Sequence, residues 1–393
     1  MKTVEDAISY IHNRPKGGQK ESLYRMTRLL AALGNPQKDL PCAIHVTGTN
    51  GKGSVSTMAS NMLRVAGYDT GLFVSPFITN FRERIQINNE MISKDDLLYT
   101  TNKVAQVLVN VDAELYPDIP VEFEVLTAIM FTYFASKKLD ALVIEVGIGG
   151  LLDSTNMMPN TKVAVITSVG LDHQKMLGNT ITEIASQKAG IIHDGVAVVT
   201  GDLPAEARSI IEKKCSHVIT GLQHEFQSGL PGEYQIENTA TAVAAVRAFD
   251  QNISNDIIVK GLEESHFSGR FELIAPNIMV DGAHNAQGLR ALYKSLVAAY
   301  PRKKITLIIG SLMDKNVTIE FNEILENGRF NIVLVPFTGP NGRPSLSIDQ
   351  TLKQYQVSAM PHWQEAVEQS TADLTVLTGS LYFISEVREQ YGR

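Results

Sequence analysis

The residues best suited to chemistry lie in His45-Val46-Thr47-Gly48-Thr49-Asn50-Gly51-Lys52-Gly53-Ser54, where an apolar run passes through three glycines into an amphipathic stretch. Glycine opens backbone dihedrals closed to other residues and lets amides approach an anion. The first N–H groups of the following helix, with its positive dipole end, favour phosphate. Lys52 adds a mobile positive charge, and Ser54 a hydroxyl able to ligate magnesium. The order departs from the common G-x-x-x-x-G-K-[ST] loop, because Gly53 separates the lysine from the serine and two residues separate Gly48 from Gly51. An ordinary strand-to-helix turn would have no use for Lys52. Thr49, Asn50, Gly51, Lys52, Gly53 and Ser54 are therefore expected to hold the phosphates of a nucleotide.

Further candidates follow at the ends of apolar runs. Glu145 precedes Gly147, Gly149 and Gly150, and a hard carboxylate there suits magnesium; its plainer reading is a helix cap or a partner for lysine. His173 in Gly170-Leu171-Asp172-His173 is either a rarer ligand of the same ion or a structural histidine. Lys188 in Gln187-Lys188-Ala189-Gly190 is by default a surface charge, yet a desolvated lysine can lose its proton, add carbon dioxide and ligate a cation as a carbamate. Arg270 in Gly269-Arg270-Phe271-Glu272 offers a guanidinium for phosphate. Asp281 and His284 in Asp281-Gly282-Ala283-His284-Asn285 form either part of a ligand loop or a helix cap with a hydrogen-bonded histidine, and Asp314 and Lys315 read as a turn with an exposed ion pair.

The elements that must position these residues alternate in type. Apolar residues recur at helical spacing at Val4, Ala7, Ile8 and Ile11, at Leu23, Met26, Leu30 and Leu33, and from Val55 to Ala66 with a stop at Gly67. Short apolar runs at 42–47, 71–74, 141–146, 163–167 and 196–200 read as parallel strands covered on both faces. Ligand crevices in such sheets lie beyond the strands' carboxyl ends, so Glu145 and residues 168–173 should converge on the phosphate turn. Helices are expected over 122–137, from the Thr180-Ile181-Thr182-Glu183 capping box, and over 204–214 and 238–250. Near 265–271 the pattern restarts, with strands at 278–280, 305–309, 332–335 and 374–377 separated by helices beginning near Gln287, Val317, Ser347 and Ser380.

A chain of 393 residues exceeds one ordinary core, and 44% hydrophobic with 20% charged residues is a globular composition. A net charge of −7 argues against a general binder of nucleic acid or anionic membrane. Cys42 and Cys215 are too few for a disulfide framework and are expected as buried thiols. Glu5 and Asp6 stand where a secretory leader would be apolar, and no run reaches the ~18 apolar residues of a membrane span, so a cytoplasmic protein is expected.

The ordered set Thr47–Ser54, Ser75-Pro76, Glu83-Arg84-Ile85, Phe123-Glu124, Glu145-Val146-Gly147, Asp153-Ser154-Thr155-Asn156, Gly170–His173, Lys188–Ile191, Gly269–Glu272, Asp281–Asn285 and Thr378-Gly379-Ser380-Leu381-Tyr382 resembles the folylpolyglutamate synthase/dihydrofolate synthase family of the Mur ligase superfamily over nearly the whole chain. The resemblance implies an α/β protein: an N-terminal P-loop ATPase domain with a mostly parallel sheet at 1–267, and a smaller C-terminal Rossmann-like α/β domain at 268–393. It implies ATP and folate in a cleft between the domains, with Ser54 and Glu145 holding the magnesium on ATP. Ser75, Glu145 and His173 would hold a second magnesium, assisted by carbamoylated Lys188. Asn238 would contact the adenine side, and Arg270, Asp281 and His284 would complete the nucleotide site. Lys52, Lys188, His173 and Arg270 are the expected catalytic residues, folate or dihydropteroate and L-glutamate the substrates, and a monomer without nucleic-acid or membrane partners the working form. Phe77, Arg82, Leu151, Gln187, Ala286 and Asn316 depart from residues common in the family, and Phe77, Arg82 and Leu151 lie in segments near the acceptor. Competing readings are a Mur ligase with a non-folate acceptor and a nucleotide-binding protein without chemistry.

Overall fold

The apolar β-branched runs of the first 220 residues pair into one sheet because each can be buried on both faces. In a computed structural model that describes residues 1–17, 21–222, 224–339 and 342–391, the strands are β1 (Ala43–Thr47), β2 (Thr70–Phe73), β3 (Ile85–Ile87), β4 (Glu90–Met91), β5 (Ala141–Glu145), β6 (Thr161–Ile166), β7 (Ala197–Thr200) and β8 (Val218–Thr220). Their order is β4-β3-β2-β5-β1-β6-β7-β8. β2, β5, β1, β6, β7 and β8 run parallel, while β3 and β4 form an antiparallel edge hairpin whose turn residues Asn88 and Asn89 have φ of 50° and 70°. Asparagine tolerates that left-handed conformation, which a two-residue hairpin turn requires.

Central β1 is buried at every position, and it pairs with β5 on one side and β6 on the other. The three strands end at the same edge, so the loops after Thr47, Glu145 and Ile166 emerge side by side. Helix Lys52–Val65 follows β1 and packs against β2 and β5. Helix Glu122–Ala135 is buried from Glu124 to Phe134, and its Val125, Ile129 and Phe131 share a core with Phe73 and Ile144. The expected capping box closes helix Ile181–Lys188: Thr180 accepts from Glu183 N, and Glu183 from Thr180 N.

The chain divides into two units, 1–229 with 237–265 and 230–236 with 266–393. The second unit has its own sheet, β13-β12-β11-β14-β10-β9, from β9 (Glu272–Ala275), β10 (Ile278–Val280), β11 (Ile305–Ile309), β12 (Phe330–Leu334), β13 (Ser358–Ala359) and β14 (Leu374–Thr378). All pair in parallel except β9, which runs antiparallel to β10. Helices Ala286–Ala299 and Leu381–Gln390 cover this sheet through Leu289, Leu292 and Leu296 and through Phe383, Ile384 and Val387 respectively. Both units are the mostly parallel α/β layers that the alternating pattern implies.

Two expectations are corrected. Cys42 is exposed and Cys215 half-buried, not the two buried thiols expected. Cys42 stands just before β1, where the chain enters the sheet from solvent, and its carbonyl accepts from Leu142 N at 3.0 Å. The alanine-dense helix begins at Tyr234, four residues before the expected start at Asn238. The helical stretch expected from Val317 is present, opening as a 3-10 turn, Val317–Glu320, and continuing as the short helix Phe321–Glu326.

Candidate functional site

Gly51 ends the phosphate turn as the N-cap of helix Lys52–Val65 at φ 87°, and a Cβ on it would lie 2.3 Å from Asn238 Oδ1. Glycine is therefore required both by the backbone and by the side chain beside it. The turn is fastened to the loop after β6. Thr49 N donates to Ser168 O at 2.9 Å, Asn50 N to Ser168 Oγ at 2.9 Å and Gly170 N to Thr49 Oγ1 at 2.9 Å. Thr167 Oγ1 donates to Asn50 O at 2.6 Å. Sequence reading brought residues 168–173 toward this turn but missed Thr167 as its brace; the only signal was a hydroxyl residue directly after an apolar strand. Lys52 folds back over the turn, Nζ donating to Gly48 O at 3.0 Å and Thr49 O at 3.3 Å. Gly53 and Ser54 sit in the helix's first turn, with Ser54 buried. Asn50, Gly51, Lys52, Ser54 and Asn238 are thus gathered at one helix start, where backbone N–H groups face outward to an anion.

Glu145 ends β5, 3% exposed, with Oε2 accepting from Ser75 N at 3.1 Å. The Ser75 loop is shaped by Glu83, whose carboxylate accepts from Ile78 N, Thr79 N and Asn80 N. Arg84 lies over the rings of Phe77 and Phe81, at 5.1 and 5.6 Å, and donates to Ser75 Oγ at 3.3 Å. His173 adopts φ 50° at the start of the short helix Gln174–Leu177, exposed, and its backbone N donates to Asp172 Oδ1 at 2.8 Å.

Among the described residues no three His, Cys, Asp or Glu side chains come together as an all-protein metal cage. Magnesium does not demand one: it keeps waters and binds through one or two carboxylates plus substrate phosphate. A buried carboxylate at Glu145 with the Ser54 and Ser75 hydroxyls fits that donor chemistry.

Lys188 ends helix Ile181–Lys188, where the plainer reading put a surface charge, and it is 2% exposed. Burial, then the neighbouring Lys52 charge, push its ammonium well below the usual lysine range, while Asp172 pulls the other way. A neutral amine is therefore favoured there. His45, on β1 just before the turn, is also buried and neutral, its pKa lowered to about 3 by desolvation and then by His193. Thr155 Oγ1 donates to Asp153 Oδ1 at 2.6 Å, so His45 Nε2 donates to Thr155 Oγ1 at 2.8 Å, and His45 Nδ1 has no hydrogen-bond partner among the described residues.

In the second unit, Arg270, Asp281 and His284 meet on one set of turns. Asp281 does not cap the following helix; Asn285 does, accepting from Gly288 N at 2.8 Å. Instead the buried Asp281 carboxylate accepts from Phe271 N at 2.8 Å, Tyr234 Oη at 2.7 Å and Ala283 N at 2.8 Å. His284 Nδ1 donates to Gly282 O at 2.8 Å. Asp314 pairs with Arg343 at 2.7 Å in an exposed contact.

Comparison with known proteins identifies the chain's relatives. Residues 46–223 match the Mur ligase middle domain and residues 269–381 the Mur ligase, glutamate ligase domain. The folylpolyglutamate synthase of Lacticaseibacillus casei is 36% identical over 98% of this chain and 97% of its own. The dihydrofolate synthase/folylpolyglutamate synthase of Bacillus subtilis (strain 168) is 33% identical over 98% of each. A solved FPGS-AMPPCP-folate complex superposes with a TM-score of 0.86 at 33% identity over 99% of both chains. The chain belongs to the folylpolyglutamate synthase/dihydrofolate synthase family of Mur ligases.

Proposed function

We infer that this chain is an ATP-dependent ligase that adds L-glutamate to a folate. The observation that carries the reading is the glycine turn with its folded-back lysine, braced from the neighbouring strand end, in a chain matching glutamate ligases along its length. A carboxylate is a poor electrophile. An oxygen of the folate carboxylate attacks the γ-phosphorus of ATP, ADP leaves, and the product is an acyl phosphate. The glutamate amine then attacks the acyl carbon, loses a proton, and phosphate departs with the carboxylate oxygen.

Little covalent work falls to the protein in phosphoryl transfer, so its residues act by position and charge. Thr49 and Asn50, whose own amides are held by Ser168, shape the turn around the phosphates, the amides of Gly51 and Gly53 receive them, and Lys52 offsets charge growing on the transferred group. Asn238, beside Gly51, is assigned to the adenine side. Arg270, Asp281 and His284 are assigned to the same nucleotide, with Arg270 directed at phosphate and Asp281 fixing the turn around it. Ser54 and Glu145 would hold the magnesium on ATP, and Ser75, Glu145 and His173 a second magnesium; the ions would neutralise phosphate charge. Lys188, whose charged form burial disfavours, is suited to add carbon dioxide and become the carbamate that supports the second ion. The reading makes the protein a cytoplasmic monomer.

The Bacillus subtilis relative's name joins two acceptor activities, and this chain is assigned dihydropteroate as a possible second acceptor. An assay of ADP release with tetrahydrofolate or dihydropteroate, each with glutamate and magnesium-ATP, tests the reading. Release must require both acceptor and glutamate; turnover with neither present overturns it. With 13C-bicarbonate, a carbamate resonance present in the wild-type chain and lost in folded Lys188→Ala is expected; its absence from both leaves Lys188 a bare amine.

A further inference from the structure

The backbone that carries Arg270 is held in a shape it would rarely adopt unaided. Gly269 has φ 70°, and Phe271, with a full side chain, has φ 49°, in the left-handed region. Such a turn persists when its surroundings over-determine it. Asp281 holds one end, through Phe271 N, and Gly282 N donates to Gly269 O at 2.9 Å. The other end depends on Glu272, whose Oε2 accepts from Gly269 N at 2.6 Å.

Glu272 is in turn gripped from the last helix. Arg388 Nη2 donates to Glu272 Oε1 at 3.0 Å, and Arg388 Nε lies 3.0 Å from Oε2. Arg388 is only 5% exposed. Seven residues earlier on the same helix face, Leu381 closes over Gly282: a Cβ there would meet Leu381 Cδ2 at 2.2 Å and Arg270 Nη1 at 2.0 Å. Helix Leu381–Gln390 therefore lies against Gly282 at one end and Glu272 at the other, the two residues that flank the Arg270 turn through Gly269 O and Gly269 N. If the pair only filled space, apolar side chains would serve as well or better. They could not supply the acceptor that Gly269 N needs, and without Arg388 the half-buried Glu272 carboxylate would lack its counter-charge.

We propose that Arg388 is a positioning residue for the ligase reaction, acting through Glu272 to hold the Gly269–Phe271 turn so that Arg270 is presented in one orientation. The proposal rests on the assignment of Arg270 to the transferred phosphate.

A double-mutant cycle tests it. The rate of ADP release, with kcat and KM for ATP and glutamate, is measured for wild type, Arg388→Met, Arg270→Ala and the double variant, with thermal midpoints to show that each is folded. In the chain with Arg270, Arg388→Met is expected to lower kcat on the order of tenfold. In the Arg270→Ala chain it should change the rate by less than about twofold, since the positioned group is gone. Arg388→Lys, which keeps one charge on Glu272, should recover part of the loss. An equal loss in both backgrounds, or none where Arg270 is present, overturns the positioning role while leaving Arg270 in the site. If Arg270→Ala itself costs nothing, the assignment of Arg270 fails and the proposal with it. Should Arg388→Met not fold, Glu272→Gln takes its place in the cycle, with the same outcomes supporting or overturning the proposal.

Discussion

Single side chains carry distinct parts of this account. Lys52 is the charge nearest the phosphate turn, so Lys52→Ala should lower ADP release by a factor on the order of a thousand, against a thermal midpoint close to wild type. Unchanged turnover would remove Lys52 from the site. His45 makes a separate prediction, in stability rather than rate. Its folded pKa of about 3 lies below the ordinary 6.5, so between those values the unfolded chain holds a proton that the folded chain does not. The stability associated with the neutral imidazole is complete above about pH 6.5 and is lost as the pH falls toward 3, by roughly 1.4 kcal/mol per pH unit at most. Chemical denaturation at several pH values should show this slope in the wild type and a flatter one in His45→Gln. Parallel curves would mean that His45 does not stay neutral in the fold.

Elements show how far local sequence reaches. The phosphate turn was legible because glycines, lysine and serine sit within seven residues, and the parallel strands because β-branched runs such as Val163–Ile166 need no partner to be recognised. What fastens them was not legible. Thr167, Ser168 and Gly170 bind Thr49 and Asn50 from about 120 residues away, and neither spacing nor composition reports such pairing. Edge strands β8 and β13 are only three and two residues long, too short to show periodicity, and neither was anticipated. The burial of Lys188 was invisible for the same reason. Its helix can lie close to the Gly149–Leu151 turn only because residue 190 is glycine: a Cβ there would stand 2.3 Å from Leu151 Cα and 2.6 Å from Leu151 N. Backbone cannot swing aside as a side chain can. Gly190→Ala should therefore destabilise the chain by about 3 kcal/mol, measured by urea unfolding; a loss under about 0.5 kcal/mol would show that the two segments are free to separate.

For the whole molecule, the sequence conveyed two α/β layers and a nucleotide-dependent ligase because its motifs recur in order from Thr47 to Tyr382. The strained turn at Phe271 and its grip by Arg388 stayed hidden, since a left-handed phenylalanine has no sequence signature. Every residue assignment rests on one chemical claim, that the acceptor's carboxylate is phosphorylated before glutamate arrives. Supplying folate labelled with 18O in its γ-carboxylate and analysing the released phosphate by mass spectrometry tests that claim most directly. The mechanism predicts one labelled oxygen in each phosphate formed with the amide. Phosphate released without label, while glutamate is still ligated, would contradict it.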